Sequence, residues 1–179
     1  MSKYELRSQT ASLSGVTYEE SQKWTTLSPP LLTRIGLNNG VHTLASLFYD
    51  RVFQDKENPW FLGIFASSTK SEAIDNQFRF LVETFSFGGE ELYKAKKGKY
   101  TRLVGRHANY KITTDAAERW LVHMNGAIDE HEELKKDEEA KEYLYKYFRF
   151  MAFYIVVASE YMKDDQLSGG TQIDSGRVW

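Results

Sequence analysis

The chain has 179 residues, a formal net charge of −2 at pH 7 and a sequence pI of about 6.1. This length suits one well-cored domain with tails, and the absence of a basic excess counts against a dedicated nucleic-acid binder. There is no cysteine, which excludes disulfides, thiolate catalysis, iron–sulfur clusters, zinc thiolates and haem attached through thioethers. Any bound metal must therefore be held by histidine, by carboxylates or by a cofactor.

The N-terminal segment, residues 1–28, is polar and rich in serine and threonine, and it lacks the apolar core of a secretory signal. Pro29 and Pro30 then form a stiff boundary before the first sustained apolar pattern. We interpret residues 1–30 as an N-terminal extension, and a cytoplasmic location is the default expectation. The longest charge-free stretch of the last predicted helix, residues 150–159, is about half of what a bilayer-spanning helix requires, so we expect no membrane association.

The first sustained helical pattern begins at Val41. Apolar residues recur there at the spacing of one buried helix face, at Val41, Leu44, Ala45, Phe48 and Val52. Tyr49 lies at the edge of this face. The segment that follows is interrupted by Pro59 and Gly63 but keeps four large apolar side chains, at Trp60, Phe61, Ile64 and Phe65. We expect a loop that packs against the core.

A second helix is predicted after Thr69, which forms a capping-box pattern with Glu72. Its apolar face consists of Ile74, Phe78, Leu81, Val82 and Phe85, and an adjoining stripe consists of Ala73, Gln77, Phe80 and Thr84. An amide buried in that stripe without a partner would cost about 1–3 kcal/mol. Gln77 therefore has either a functional partner or a bond to backbone or solvent, and the pattern leaves both interpretations open. Two glycines at 88–89 end this helix.

The segment from Tyr93 to Ile112 first carries a run of lysines and then a single histidine. The basic run, Lys94 to Arg102, is more typical of a solvated loop than of a nucleic-acid site. His107 differs from the other three histidines in its surroundings, since Arg106 precedes it and apolar residues, including Ile112, lie nearby. An imidazole, apolar contacts and a cation for propionates are what a haem requires.

Two further helices complete the pattern. The first is predicted to be capped by Asp115 and Glu118, with an apolar face of Ala117, Trp120, Leu121, Met124 and Ile128. A tryptophan in such a pattern, here Trp120, is more often a core residue than a site residue, though its N–H needs an acceptor if it is buried. A charged run then leads into a long aromatic helix, residues 138–162, and residues 163–179 are predicted to form a flexible tail. No alternating pattern predicts a strand, so we expect an all-α fold.

Sequence motifs of several enzyme classes are missing. The chain has no dinucleotide-binding GxGxxG, no P-loop, no HExxH, no GxSxG and no paired Glu-x-x-His motif. Dinucleotide-dependent, P-loop, zinc-protease, serine-hydrolase and di-iron functions therefore have no support in the sequence.

Five stretches of the chain together resemble a known family. They are "FYDRVF", "FLGIFASS", "AIDNQFRFLVETF", "GRHANYKI" and "AERWLVHM". Their order and spacing resemble those of group II truncated haemoglobins, with the greatest similarity to plant-type members. The resemblance covers residues 31–162, which we take as the truncated globin domain. It implies a two-on-two helical sandwich with an N-terminal extension and a long C-terminal helix. The chain departs from the family at Glu90 and at Asn109-Tyr110, which bears on the loop path and the propionate contacts.

The resemblance also implies roles for single residues. His107 matches the proximal iron ligand, and Tyr49, Trp120 and Gln77 match polar residues of the distal pocket. Phe65 matches an aromatic residue that wedges against the haem, Ala73 stands where vertebrate globins have a distal histidine, and Arg106 with Tyr93 or a lysine is expected near the propionates. The full set of expected haem contacts is Tyr49, Phe65, Ala73, Gln77, Phe80, Tyr93, Arg106, His107, Ile112, Trp120 and Met124.

The function implied by the resemblance is reversible binding of O₂, CO and NO at a b-type haem. Three hydrogen-bond donors in a dry pocket favour high affinity and slow release, which suits NO dioxygenation or scavenging with an external reductase. A haem-based gas sensor or interaction module is the alternative, and a cofactor-free helical interaction protein is a third interpretation. The aromatic last helix is compatible with a homodimer interface or with a core position.

Overall fold

The computed structural model describes residues 2–65, 68–87 and 112–167. In these ranges the chain forms helices and contains no strand, which confirms the all-α prediction. The α-helices are α1 (Lys3–Ser14), α2 (Tyr18–Ser21), α3 (Leu31–Arg34), α4 (Leu37–Gln54), α5 (Pro59–Leu62), α6 (Lys70–Phe87), α7 (Thr114–Glu130) and α8 (Glu138–Leu167). Short 3₁₀ helices occur at Lys23–Thr26, Gly63–Phe65 and Leu134–Lys136.

The long helices are arranged as two packed pairs. Helix α4 packs against α6, helix α7 packs against α8, and a contact between α4 and α7 joins the two pairs. The predicted face of α4 is entirely buried, since Val41, Leu44, Ala45, Phe48 and Val52 are all 0% exposed. None of the helices in the part of the chain that the structure describes combines the length and the apolar character needed to cross a membrane.

Helix starts were only partly predicted from the sequence. The capping box before α6 is confirmed, because the Thr69 hydroxyl accepts from the Glu72 amide at 3.2 Å and the Glu72 carboxylate accepts from the Thr69 amide at 2.8 Å. The predicted cap of α7 is wrong. Thr113 is the N-cap residue there, and its hydroxyl accepts from the amide of Ala116 at 3.2 Å.

The predicted loop after α4 folds as two consecutive helical turns, α5 and the 3₁₀ helix Gly63–Phe65. Pro59 occupies the first turn of α5, where a missing backbone N–H costs nothing. Phe61 is 1% exposed, as expected of a packed segment, whereas Trp60 remains about half exposed at 49%. Only one side of this segment therefore faces the core.

The N-terminal segment packs along α8. The Arg149 guanidinium of α8 donates to the carbonyl oxygen of Ser14 at 2.7 Å, at the end of α1. The buried ring of Trp24 lies edge-on to Phe85 of α6 and to Tyr147 of α8, with centroid distances of 5.5 and 5.7 Å. Helix α8 itself continues beyond residue 162 to Leu167. The division of the chain into extension, domain and tail stays a prediction.

Near the start of helix α4, the backbone at Gly40 lies very close to the backbone of Ile35, just before the helix. A Cβ atom on Gly40 would stand 1.6 Å from the carbonyl oxygen of Ile35. The imidazole of His131 donates through Nε2 to the carbonyl of Gly40 at 2.9 Å, and its Nδ1 accepts from the amides of Glu133 and Leu134 at 3.3 and 3.4 Å. This bonding pattern assigns the neutral Nε2–H tautomer to His131. The histidine joins α4 to the turn after α7.

We expect Gly40→Ala to lower the free energy of unfolding by about 1–3 kcal/mol, the usual cost of overpacking a tight site. The clash is with backbone, so it outweighs the gain of about 1 kcal/mol that alanine has over glycine within a helix. Urea unfolding would measure the change. Gly63→Ala is the matched control, because no atom of the described residues lies within 4 Å of a Cβ at that position. A Gly40→Ala protein as stable as the control would contradict the close approach of Gly40 to the Ile35 carbonyl.

Candidate functional site

Tyr49 places a phenol among aromatic rings on α4. Its residue is 4% exposed, and its ring lies 4.8 Å from that of Phe48 and 5.8 Å from that of Phe65, nearly perpendicular to the latter at 84°. Burial raises the pKa of Tyr49 well above its ordinary value, so the hydroxyl keeps its proton. The hydroxyl makes no hydrogen bond to any residue in the described ranges. It is therefore a donor on a buried residue without a protein partner there.

Trp120 lies on α7 beside the same aromatic rings. Its indole is half-buried between Phe48 of α4 and Phe148 of α8, at centroid distances of 5.1 and 5.5 Å. Phe48 contacts both Tyr49 and Trp120, so the packing of α4 against α7 brings two donor-bearing side chains to one cluster. Among the described residues the indole N–H has no hydrogen-bond acceptor.

Helix α6 contributes the stripe predicted from the sequence. Ala73 is 4% exposed, and Gln77 and Phe80 are half-buried. The three residues are spaced four and three positions apart, so they share one face of α6. The Gln77 amide has no hydrogen bond to backbone or side chain within the described part of the chain. Of the interpretations that the sequence leaves open for Gln77, a bond to nearby backbone is not observed in the described residues.

The remaining expected contacts divide into two groups. Met124 is 0% exposed and lies one turn after Trp120 on α7, while Ile112 is half-buried and packs against the core just before that helix. Tyr93, Arg106 and His107 lie outside the described residues, so the proximal ligand and the propionate contacts stay predictions. Within residues 2–65, 68–87 and 112–167, no cluster of three or more His, Asp or Glu side chains could hold a metal ion.

A buried polar cluster lies next to the aromatic rings around Tyr49 and was not predicted from the sequence. We call Asp55, Arg119 and His123 the Asp55 cluster. The Asp55 carboxylate, with a side chain 1% exposed, accepts from Arg119 Nε at 2.7 Å and from His123 Nε2 at 2.8 Å. It also accepts from the backbone amide of Asn58 at 3.2 Å. The cluster thus joins the end of α4 to α7 and to the turn before α5.

The charges of the Asp55 cluster follow from its bonds. The Arg119 guanidinium, helped by His123 and Asn58, holds the pKa of the Asp55 carboxyl well below its usual range. Burial lowers the pKa of His123, and this effect outweighs the opposing influence of Asp55. At neutral pH, His123 is therefore an uncharged donor to a carboxylate whose negative charge is balanced by Arg119.

Acidification should weaken the fold through this cluster. Both pKa values are lower in the folded than in the unfolded chain, so the unfolded chain takes up protons first and stability is lost as pH falls. For His123 the loss begins near its ordinary pKa of about 6.5, and for Asp55 it begins near about 3.9. We expect Asp55→Asn to cost about 1.5–3 kcal/mol at pH 7, as for a hydrogen bond to a charged group.

Urea unfolding at pH 7, 5.5, 4 and 3 would measure this dependence. The difference in unfolding free energy between wild type and Asp55→Asn should stay nearly constant down to about pH 4 and shrink below it, where the carboxylate of the unfolded chain becomes protonated. The control is Asp50→Asn, which breaks an exposed pair with Lys70 at 2.5 Å and should cost about 0–1 kcal/mol. An Asp55→Asn protein that matches wild type at pH 7 would contradict a stabilising role for the carboxylate.

The described residues fit the distal side of a haem. Phe65, Phe80 and Met124 offer apolar surface, and the donors of Tyr49, Gln77 and Trp120 have no described protein partner. An oxygen-containing ligand on a haem would give these three donors an acceptor, provided that it lies within reach of each. Gln77 and Trp120 are only half-buried, so the ligand would there replace contact with solvent.

Comparison with known proteins gives one family. A family model described as "Bacterial-like globin" matches residues 31–154. The chain is 37% identical over 155 residues to "Two-on-two hemoglobin-3" of Arabidopsis thaliana, with 87% of this chain and 83% of that protein covered. It is 40% identical over 130 residues to "Group 2 truncated hemoglobin 3-1" of Lotus japonicus, with 73% of each covered.

Proposed function

Since the chain belongs to the bacterial-like globins as a group 2 truncated haemoglobin, a family that implies haem and oxygen binding, we propose that it holds O₂ tightly in a polar pocket. Tight binding favours use of the O₂ in a reaction over its delivery elsewhere. CO and NO are the other diatomic ligands that such a pocket would accept.

The haem in this proposal is b-type, because the chain has no cysteine for thioether attachment. His107 would hold the iron, Phe65, Phe80, Ile112 and Met124 would contact the macrocycle, and Arg106 and Tyr93 would face the propionates. When bound, the haem supplies an iron atom with one open position for a diatomic ligand.

The residues of this chain act on that ligand by donating hydrogen bonds. Tyr49 remains protonated because burial raises its pKa, and Trp120 and Gln77 carry N–H donors that do not ionise at neutral pH. A hydrogen bond to an acceptor with partial negative charge is worth roughly 1.5–3 kcal/mol, so each effective donor would slow ligand release about tenfold to a hundredfold. The rings of Phe48, Phe65 and Phe148 beside Tyr49 and Trp120 would limit the water that competes for these donors.

The observation that carries this proposal is the hydroxyl of Tyr49. The ring that carries it is buried among Phe48, Phe53 and Phe65, and the hydroxyl has no hydrogen-bond partner in the described part of the chain. A phenol that served only packing could be phenylalanine at no cost, whereas a phenol that meets a ligand must keep its hydroxyl.

NO dioxygenation is the reaction that this pocket fits best. The reaction combines O₂ and NO into nitrate and consumes one electron per turnover. The chain has no dinucleotide-binding motif, so a separate reductase would supply that electron. A cytoplasmic location and a homodimer belong to the same proposal as open predictions.

A haem-based gas sensor is the second candidate, and one chain of contacts favours it. Trp24 of the N-terminal segment contacts Tyr147, Tyr147 contacts Phe148 at 5.1 Å, and Phe148 contacts Trp120 at 5.5 Å. A change at the distal tryptophan could reach the N-terminal segment through these rings.

The first test is the absorption spectrum of the purified protein in the ferric state, after reduction, and after exposure to O₂ and CO. We expect a strong Soret band with reversible O₂ and CO complexes, and the O₂ complex should convert added NO to nitrate when an electron donor is present. A protein that takes up no haem when haem is offered would overturn the proposal. Ligand complexes without nitrate formation would leave the sensor as the better candidate.

A further inference from the structure

The Asp55 cluster lies between the two helices that carry the proposed distal donors. Asp55 follows the last residue of α4, the helix of Tyr49, and Arg119 directly precedes Trp120 on α7. We propose that the Asp55 cluster positions Tyr49 and Trp120 relative to each other, so that ligand release depends on the hydrogen bond between Asp55 and His123. The inference rests on the proposed function, because it concerns the same pocket.

The link to Trp120 runs through the orientation of α7. Arg119 and His123 are one helical turn apart, and both donate to Asp55 Oδ2, at 2.7 and 2.8 Å. Two bonds from successive turns to one fixed atom limit the rotation of a helix about its axis, because hydrogen bonds weaken steeply when misaligned. Trp120 shares that turn, so its direction is set by the same rotation.

The link to Tyr49 runs through aromatic contacts. The ring of His123 lies 5.5 Å from that of Phe61, and Phe61 lies 5.3 Å from Phe65. Phe65 in turn meets the ring of Tyr49 at 5.8 Å. Asp55 also holds the amide of Asn58, the residue before α5, at 3.2 Å. The cluster therefore fixes both the turn that carries Phe61 and the ring on which Phe61 packs.

Stability alone does not explain this arrangement. The Asp55 side chain is 1% exposed whereas that of Arg119 is 26% exposed, and an ion pair that takes a carboxylate out of water commonly contributes no more to stability than apolar residues of similar size. What a polar cluster adds is direction, since its atoms are held at hydrogen-bonding distance and angle. The charged groups that act on His123 are Asp55, Arg119 and Arg51, and those that act on Arg119 are Asp55 and Glu57.

The experiment compares two replacements of His123 in the haem-loaded protein. His123→Leu removes the donor to Asp55, while His123→Gln retains an N–H at similar reach. The two readouts are the C–O stretching frequency of the CO complex, which reports hydrogen bonding to the ligand, and the O₂ dissociation rate. We expect His123→Leu to raise the rate about threefold to tenfold, since it weakens donors without removing them. His123→Gln should restore both readouts.

The matched control is His131→Leu. His131 is also a buried histidine that donates one hydrogen bond to α4, at the carbonyl of Gly40. It should lower stability in urea unfolding while leaving the C–O frequency and the O₂ rate unchanged. If His131→Leu shifts the two readouts as much as His123→Leu does, general loosening explains the effect and the inference is overturned. Asp55→Asn replaces His123→Leu if the latter fails to fold.

Further reference variants separate failure of this inference from failure of the proposed function. Trp120→Phe and Tyr49→Phe remove the donors themselves. If they alter the C–O frequency and the O₂ rate while His123→Leu and Asp55→Asn do not, the positioning role is wrong and the proposed function stands. If neither donor variant alters either readout, the polar distal pocket is wrong and the positioning role fails with it.

Discussion

Replacing Trp120 with phenylalanine should raise the O₂ dissociation rate by about tenfold to a hundredfold, the effect of losing one hydrogen bond to a partly charged acceptor. Phenylalanine keeps an aromatic ring between Phe48 and Phe148 and removes only the indole N–H. Stopped-flow displacement of O₂ by CO would measure the rate.

The matched control is Trp60→Phe. Trp60 is also a tryptophan beside the aromatic cluster, at 5.7 Å from Phe61, but it is 49% exposed. It should leave the dissociation rate at the wild-type value. A rate for Trp120→Phe that is unchanged or slower would remove Trp120 from the set of donors, and Tyr49 and Gln77 would then have to account for any slow release.

Replacing His107 with alanine should abolish a stable five-coordinate ferrous state, because the other three histidines are engaged elsewhere: His42 is exposed, His123 bonds Asp55 and His131 bonds the Gly40 carbonyl. The spectrum of the reduced protein would show the loss, and added free imidazole should restore part of the native spectrum by occupying the vacated position. His107 lies outside the described residues, so this variant tests the assignment taken from the family resemblance.

His42→Ala is the control for histidine replacement. His42 is exposed on α4 and packs edge-on against Phe78 at 5.5 Å. Its replacement should leave the spectrum of the reduced protein unchanged. Native spectra in His107→Ala, or a loss in His42→Ala, would show that the proximal ligand had been assigned to the wrong residue.

The fold could be predicted where local pattern and tertiary packing agree. The spacing of apolar residues in α4 is the spacing of its buried face, and the Thr69–Glu72 box forms as predicted because both partners belong to one turn. The cap of α7 could not be predicted as reliably. Glu118, a candidate by spacing, instead pairs with Arg149 of α8 at 3.1 Å, and Thr113 takes the capping position. The pairing of Glu118 with Arg149, on another helix, could not be inferred from the local pattern.

Some residues of the candidate site could likewise be predicted from local patterns and others could not. Tyr49, Gln77 and Trp120 were found one at a time, as polar groups on or beside apolar faces, and the family resemblance placed them in one pocket. The Asp55 cluster was missed because Asp55 is 64 residues from Arg119 and 68 from His123. The spacing of Arg119 and His123 on one helix was a local signal, but no local pattern names a partner so far along the chain.

The contact of the N-terminal segment with α8 changes how a signalling role should be tested. Cutting the chain before residue 31 would remove Trp24, which is 3% exposed, and would uncover the rings of Phe85 and Tyr147. A shortened protein would then lose stability or aggregate because of the exposed apolar surface, whether or not the segment has a signalling role. Substitutions on the outer side of α1, where Tyr4 is 81% and Leu13 is 44% exposed, separate recognition by a partner from damage to the interior.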